Sequence, residues 1–148
     1  MNAPLQLAPP RLSDEHIFGA TRHCIDMWNT LDLEATLSTY SDDVVYCDPK
    51  TGRRIIGKAA LRRYLRKFFE RWDMQFTVLE DLRLEGQDGQ VVIWECKISR
   101  REGGPARTVR GMDICMVRGS QLCRDEAFMD TSVLAELMNL DPASLATA

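Results

Sequence analysis

Between residues 13 and 31 the apolar positions return every three or four residues. Ile17, Ala20, Cys24, Met27, Trp28 and Leu31 fall on one stripe, the signature of a helix with a single inward face. Ser13 stands where an N-cap is needed, and Asp14 and Glu15 follow it in the turn that favours acids. Asp32 predicts the cap of a second helix reaching about Tyr40. Gly57 leads a third from Lys58 to about Trp72, with Ala60, Leu61, Tyr64, Leu65, Phe68 and Phe69 inward. Between the second and third helices the period is two: Val44, Tyr46 and Asp48 alternate with Val45 and Cys47, predicting one strand that ends at Asp48-Pro49.

Beyond Trp72 the period stays near two. Strands are predicted over 75–84, 90–100, 106–117 and 121–129, with turns at Gly86–Gly89, Glu102–Pro105 and Arg118–Ser120. A last helix is expected from about Asp130 to Leu140, with Asp130 as its cap. Helices followed by an antiparallel meander imply an α+β fold, a curved, mostly antiparallel sheet wrapped around the N-terminal helices. In the strand 111–117, Met112, Ile114 and Met116 oppose Asp113, Cys115 and Val117. A strand apolar on both faces needs a second covering layer. Either a partner subunit supplies it, giving a homodimer, or the C-terminal helix does. The domain is expected to span 13–140, between a flexible tail at 1–12, rich in proline, and a loose tail at 141–148.

Composition narrows the function. A chain of 148 residues builds one core. A net charge of −3 without a broad basic face weighs against nucleic acid as partner. No apolar run reaches the length of a membrane span. The first residues show no basic n-region and no long apolar h-region, so no secretory signal is expected. Five cysteines without CxxC spacing suggest reduced thiols and a cytoplasmic setting. His16 and His23 show no paired metal spacing, so neither metal nor cofactor is expected.

The candidate chemistry lies in acids at strand positions. Asp48 shares a strand face with Val44 and Tyr46. In an apolar pocket its pKa would rise and it could act as a base; at a rim it would bond the turn backbone beside Pro49. His23 could relay a proton or sit on the surface. Arg62, Arg63, Arg66, Lys67 and Arg71 read as a solvated helix face or as a steering field for an anionic ligand. Arg107 and Arg110 could hold a ligand carboxylate or pair with nearby acids. The cysteines read mostly as small buried hydrophobes.

Four motifs carry a resemblance: Asp32-Leu-Glu-Ala35, Tyr40-Ser-Asp-Asp43, Asp48-Pro49 at a strand end, and Asp113 in Gly111-Met-Asp-Ile114. From about Ser13 to Leu137 the chain resembles the nuclear transport factor 2-like superfamily, also called SnoaL-like, and within it the ketosteroid isomerases. The resemblance implies a cystatin-like cone with an internal pocket. It also implies cofactor-independent acid–base chemistry on a small apolar molecule: proton abstraction next to a carbonyl, as in an isomerase, cyclase or dehydratase. By that resemblance Asp48 is the general base and Asp113 the acid that donates to the oxyanion. Cys24 stands where the family places an oxyanion-donating tyrosine. Ala127 stands where cyclase and epoxide hydrolase relatives carry an acid. Asp125, one inward step away, could substitute, or could be a rim residue paired with an arginine. The expected pocket wall is Cys24, Trp28, Tyr46, Tyr64, Trp94, Cys115, Phe128 and Met129. The other reading of the same fold is a non-catalytic ligand-binding or dimerisation module.

Overall fold

A computed structural model describes residues 11–139. Its elements are α1 (Asp14–Asn29), α2 (Leu33–Leu37), β1 (Tyr40–Cys47), β2 (Ile55–Ile56), α3 (Lys58–Arg71), β3 (Trp72–Arg83), β4 (Gly89–Arg100), β5 (Arg107–Arg118), β6 (Gln121–Met129) and α4 (Ser132–Asn139). The strands form one sheet in the order β2-β1-β6-β5-β4-β3. Every pairing is antiparallel except β1 with β6.

Local chemistry accounts for the helix ends. The Ser13 side chain accepts from the His16 amide and caps α1, and Asp32 accepts from the Ala35 amide and caps α2. The Asp130 carboxylate accepts from the Ser132 amide at the start of α4, which holds its carboxyl below the usual range. Gly57 begins α3 at φ 89°, a left-handed conformation that glycine adopts without a Cβ penalty.

Three expectations need correction. The second helix ends at Leu37, and Tyr40 opens β1 instead of closing the helix. Thr36, Ser38 and Thr39 each donate a side-chain hydroxyl to a nearby backbone carbonyl, a competition that shortens helices. The third helix ends at Arg71, within a residue of the expected end, but the strand after it begins at Trp72 rather than Gln75, with Trp72 buried and paired with Arg100. The two-residue strand β2, which no alternation announces, pairs Val45 and Tyr46 with Ile56 and Ile55.

The core lies between the helices and the concave face of the sheet. Ile17, Leu37, Val44, Leu61, Leu65, Trp72, Met74, Val92, Trp94, Ile98, Val109 and Val117 belong to one buried cluster. Leu134 and Leu137 of α4 join the same cluster. The convex face is different. Ile93, Met112 and Phe128 form one cross-strand row, and Val91 and Ile114 lie in the next. Phe128 is 43% exposed. The described part of α4 therefore serves the concave core and does not supply the outer layer.

Residues 1–10 and 140–148, most of the two expected tails, lie outside the described residues. Leu12, which the sequence placed in the first tail, is tied down: its amide donates to Asp88 and its carbonyl accepts from Arg83. No described helix is long and apolar enough to cross a membrane.

Candidate active site

Strand register brings three carboxyls into one apolar cavity. On β5 the alternation turns Gly111, Asp113, Cys115 and Val117 towards the helices, and on β6 it turns Asp125, Ala127 and Met129 the same way. Asp113 lies opposite Ala127, and Cys115 opposite Asp125. Asp125 also has Tyr46 beside it on β1. Asp48 follows β1 immediately, and all three acids line the cavity together.

Gly111 makes one contact of this site possible. It faces Trp94, and a Cβ there would lie 2.5 Å from the indole ring and 2.8 Å from the Phe128 carbonyl oxygen. With hydrogen in that place, Trp94 crosses β5 closely, packs edge-on against Phe76 at 5.1 Å, and donates its Nε1–H to Asp113 Oδ1 at 3.0 Å.

The donors are distributed unequally among the acids. Asp125, 3% exposed, accepts from Tyr40 Oη at 2.6 Å and from Cys115 Sγ at 3.7 Å. Trp28 Nε1 donates to the same Tyr40 oxygen at 3.0 Å. Asp113 and Asp125 also hydrogen-bond to each other, which requires a proton on one of them. Burial raises the pKa of both. The Asp125 charge raises Asp113 further, whereas Asp113, Tyr40 and Cys115 as donors hold Asp125 down. The shared proton therefore belongs on Asp113, with Asp125 as the charged partner. Asp48 is served separately: Tyr64 Oη at 2.6 Å and Tyr46 Oη at 3.0 Å donate to Oδ2, and the Lys50 and Thr51 amides at 2.8 and 3.0 Å donate to Oδ1. Asp48 thus fills both roles its position allowed, a turn acceptor and a cavity acid.

The wall is aromatic and sulfur-rich. Cys24, Trp28, Tyr46, Trp94, Cys115 and Met129 line the cavity, together with Phe68 and Phe76. Trp28 packs edge-on against Phe68, Phe69 and Phe76. Tyr64 reaches the site through its hydroxyl on Asp48 rather than as cavity wall. Phe128 is a correction. It pairs with Met112 on the convex face, one residue out of phase with Ala127 and Met129, so it cannot line the cavity. The cavity volume is about 50 Å³.

The thiols here are poor nucleophiles. Burial pushes Cys24 up to about 12, and burial together with the neighbouring Asp125 charge pushes Cys115 well above the ordinary thiol range. Asp113, Cys115 and Asp125 place one possible ligand atom each within 4.8 Å of one another. The thiol stays protonated and spends its hydrogen on Asp125, so protons knit this cluster as it stands.

Of the other candidates, Arg107 pairs with Glu136 and Arg62 with Glu34, both on the surface. His23 is exposed on α1. Asp125 is not a rim residue, since its acceptors are filled by Tyr40 and Cys115 rather than by an arginine. Two residues escaped the sequence reading. Tyr40 was hidden by its placement at a helix end. Thr21 is a polar residue on the stripe of Ile17 and Cys24, and that polarity was the available signal.

The SnoaL-like domain model matches residues 21–124. No protein of curated function matches the chain. A candidate isomerase from Bacillus subtilis superposes with a TM-score of 0.77 at 17% identity, over 86% of this chain and 96% of that one. A candidate polyketide cyclase from Xanthomonas campestris pv. campestris gives 0.72 at 18% identity, over 86% and 100%. A ketosteroid isomerase-like protein from Erwinia carotovora atroseptica gives 0.63 at 21% identity, over 80% and 98%. At these identities the structural likeness speaks for the fold alone. The matched domain covers most of the chain, its helices and curved sheet superpose on those of the neighbours, and the protein belongs to the SnoaL-like family.

Proposed function

We propose that the protein is a cofactor-independent acid–base enzyme acting on a small apolar carbonyl compound in the cone cavity, in the isomerase, cyclase or dehydratase class. One observation carries this reading: three carboxyls open into one apolar cavity, where burial raises the pKa of two neighbouring ones, Asp113 and Asp125. Buried carboxyls are costly unless they are satisfied or used, and here their donors divide the roles. Asp48 is the base, held by Tyr46 and Tyr64. Asp113 is the acid, and its proton moves from Asp125 towards the oxygen of a bound carbonyl as negative charge develops there. Asp125 keeps that proton at hand, and its charge disfavours ionisation of Asp113. Cys24 offers only a weak donor where the related isomerases place a tyrosine, so the oxyanion relies on Asp113.

The test is deuterium exchange at the carbons beside the carbonyl of small cyclic ketones and enones, followed by NMR. Asp48→Asn is expected to abolish exchange and Asp113→Asn to slow it strongly. Exchange that persists unchanged in both variants would overturn the proposal.

The small cavity volume favours a second reading, a binding or dimerisation module whose cavity is filled by its own side chains. No exchange with any ketone, together with an intact fold, would select it. Under either reading we propose a second copy of the chain as the cover for the convex row of Ile93, Met112 and Phe128.

A further inference from the structure

One buried polar atom of the cavity wall has no place in the acid–base scheme. Thr21 is 1% exposed and lines the cavity, yet among the described residues its Oγ1 has no hydrogen-bond partner. A buried hydroxyl without a partner is unfavourable, and valine would fill nearly the same space without that cost. Thr21 lies on α1 one turn before Cys24 and Ile25 and two turns before Trp28, all of which line the same cavity. From Thr21 to Trp28 the helix rises about 10 Å. The helical wall of the cavity therefore carries an unused polar atom about two turns from the indole that donates to Tyr40. The other polar atoms here are spoken for: Cys115 and Tyr40 by Asp125, and Trp94 by Asp113.

We infer that Thr21 is a ligand-binding residue, and that the ligand of this cavity carries two oxygen functions, a carbonyl for Asp113 and a separate hydroxyl or carbonyl for Thr21 Oγ1. The inference rests on the cavity being the ligand site. It adds a ligand class, a doubly oxygenated small molecule, and a residue that selects it. A hydroxyl both donates and accepts, so Thr21 suits either kind of second oxygen.

The experiment compares cyclohexanone with 3- and 4-hydroxycyclohexanone as probes, titrated by NMR into the wild type and Thr21→Val. In the wild type one of the hydroxyketones is expected to bind roughly tenfold more tightly than cyclohexanone, the gain of about one hydrogen bond. In Thr21→Val the ratio between hydroxyketone and cyclohexanone affinities falls to about one. The unliganded Thr21→Val protein is expected to melt at a higher temperature, because the unpartnered hydroxyl is gone. Cyclohexanone binding with no hydroxyl gain, or a gain that survives in Thr21→Val, would overturn this inference and leave the cavity reading standing. Failure of all three ketones to bind would overturn both. A lower melting temperature for Thr21→Val would show that the hydroxyl already serves the protein itself, which also overturns the inference.

Discussion

Replacing Asp113 or Asp125 with asparagine makes opposite demands on the cavity, although each change removes one carboxyl. At position 113 the amide fits the existing bonds. Its oxygen accepts from Trp94 Nε1 and its nitrogen donates to Asp125, where the protonated acid donates now. At position 125 the amide conflicts. Asp125 accepts from Tyr40, Cys115 and Asp113, and an asparagine there turns one accepting end into a donor. A hydrogen bond to a charged group contributes about 1.5–3 kcal/mol, and a buried donor left without an acceptor costs about 1–3 kcal/mol. Asp125→Asn should therefore be less stable than Asp113→Asn by about 2–4 kcal/mol. The pH dependence follows from the raised pKa of Asp113. Its folded value lies above its unfolded value of about 3.9. The associated stability is full below that unfolded value and falls as pH rises, by about 1.4 kcal/mol per pH unit for one retained proton, until Asp113 itself ionises. Asp113→Asn should remove the Asp113 part of this slope, leaving only what the raised Asp125 contributes, and be at least as stable as the wild type at neutral pH. Urea denaturation at a series of pH values measures both quantities. Equal stability of the two variants, or a more stable Asp125→Asn, would refute the assignment of the proton to Asp113.

Other expectations follow from the same contacts. Tyr40→Phe removes the 2.6 Å donor to Asp125 and strands the Trp28 indole N–H, so chemical denaturation should show a loss of about 2–4 kcal/mol. Gly111→Ala drives a Cβ into Trp94 and should cost about 1–3 kcal/mol, with a change in tryptophan fluorescence as the bond to Asp113 is lost. Cys24, pushed up to about 12, should resist alkylation at pH 8 in the folded protein and react once the chain is unfolded, as peptide mass mapping would record. Phe128→Ser on the exposed convex row should shift sedimentation from dimer towards monomer without loss of fold, and an unchanged sedimentation coefficient would count against the dimer.

Much of this architecture is legible in the sequence because burial is one-sided. The stripe from Ile17 to Trp28 and the alternation from Val92 to Ile98 each admit a single inward face; the alternation stands in the structure as read, and the stripe does so except that Thr21 is buried on it and Met27 is not part of the core. Where local preference and tertiary pairing compete, the reading failed. Tyr40 continues a helical run by spacing, yet its pairing with Leu122 makes it a strand residue. Ile55 and Ile56 are too few to show a period. Phe128 was misplaced because a one-residue change of phase reverses a strand face, and only the register against Met112 fixes that phase. In the site, Asp48 and Asp113 stood out through the motif resemblance. The closeness of Asp125 to Asp113 comes from pairing between β5 and β6, which no linear spacing reveals. Thr21 could be noticed as a polar residue on an apolar stripe, but its lack of a partner is a property of three dimensions.

At neutral pH the proton between Asp113 and Asp125 rests on Asp113. Carboxyl-resolved carbon NMR of the wild type and of Asp125→Asn, followed from acid to alkaline pH, tests it most directly. Asp113 should titrate well above the ordinary aspartate range in the wild type and move down when Asp125 loses its charge, because that charge and that hydrogen bond both raise it. An Asp113 carboxyl that titrates near the model-peptide value of about 3.9, and does not respond to Asp125→Asn, would contradict it.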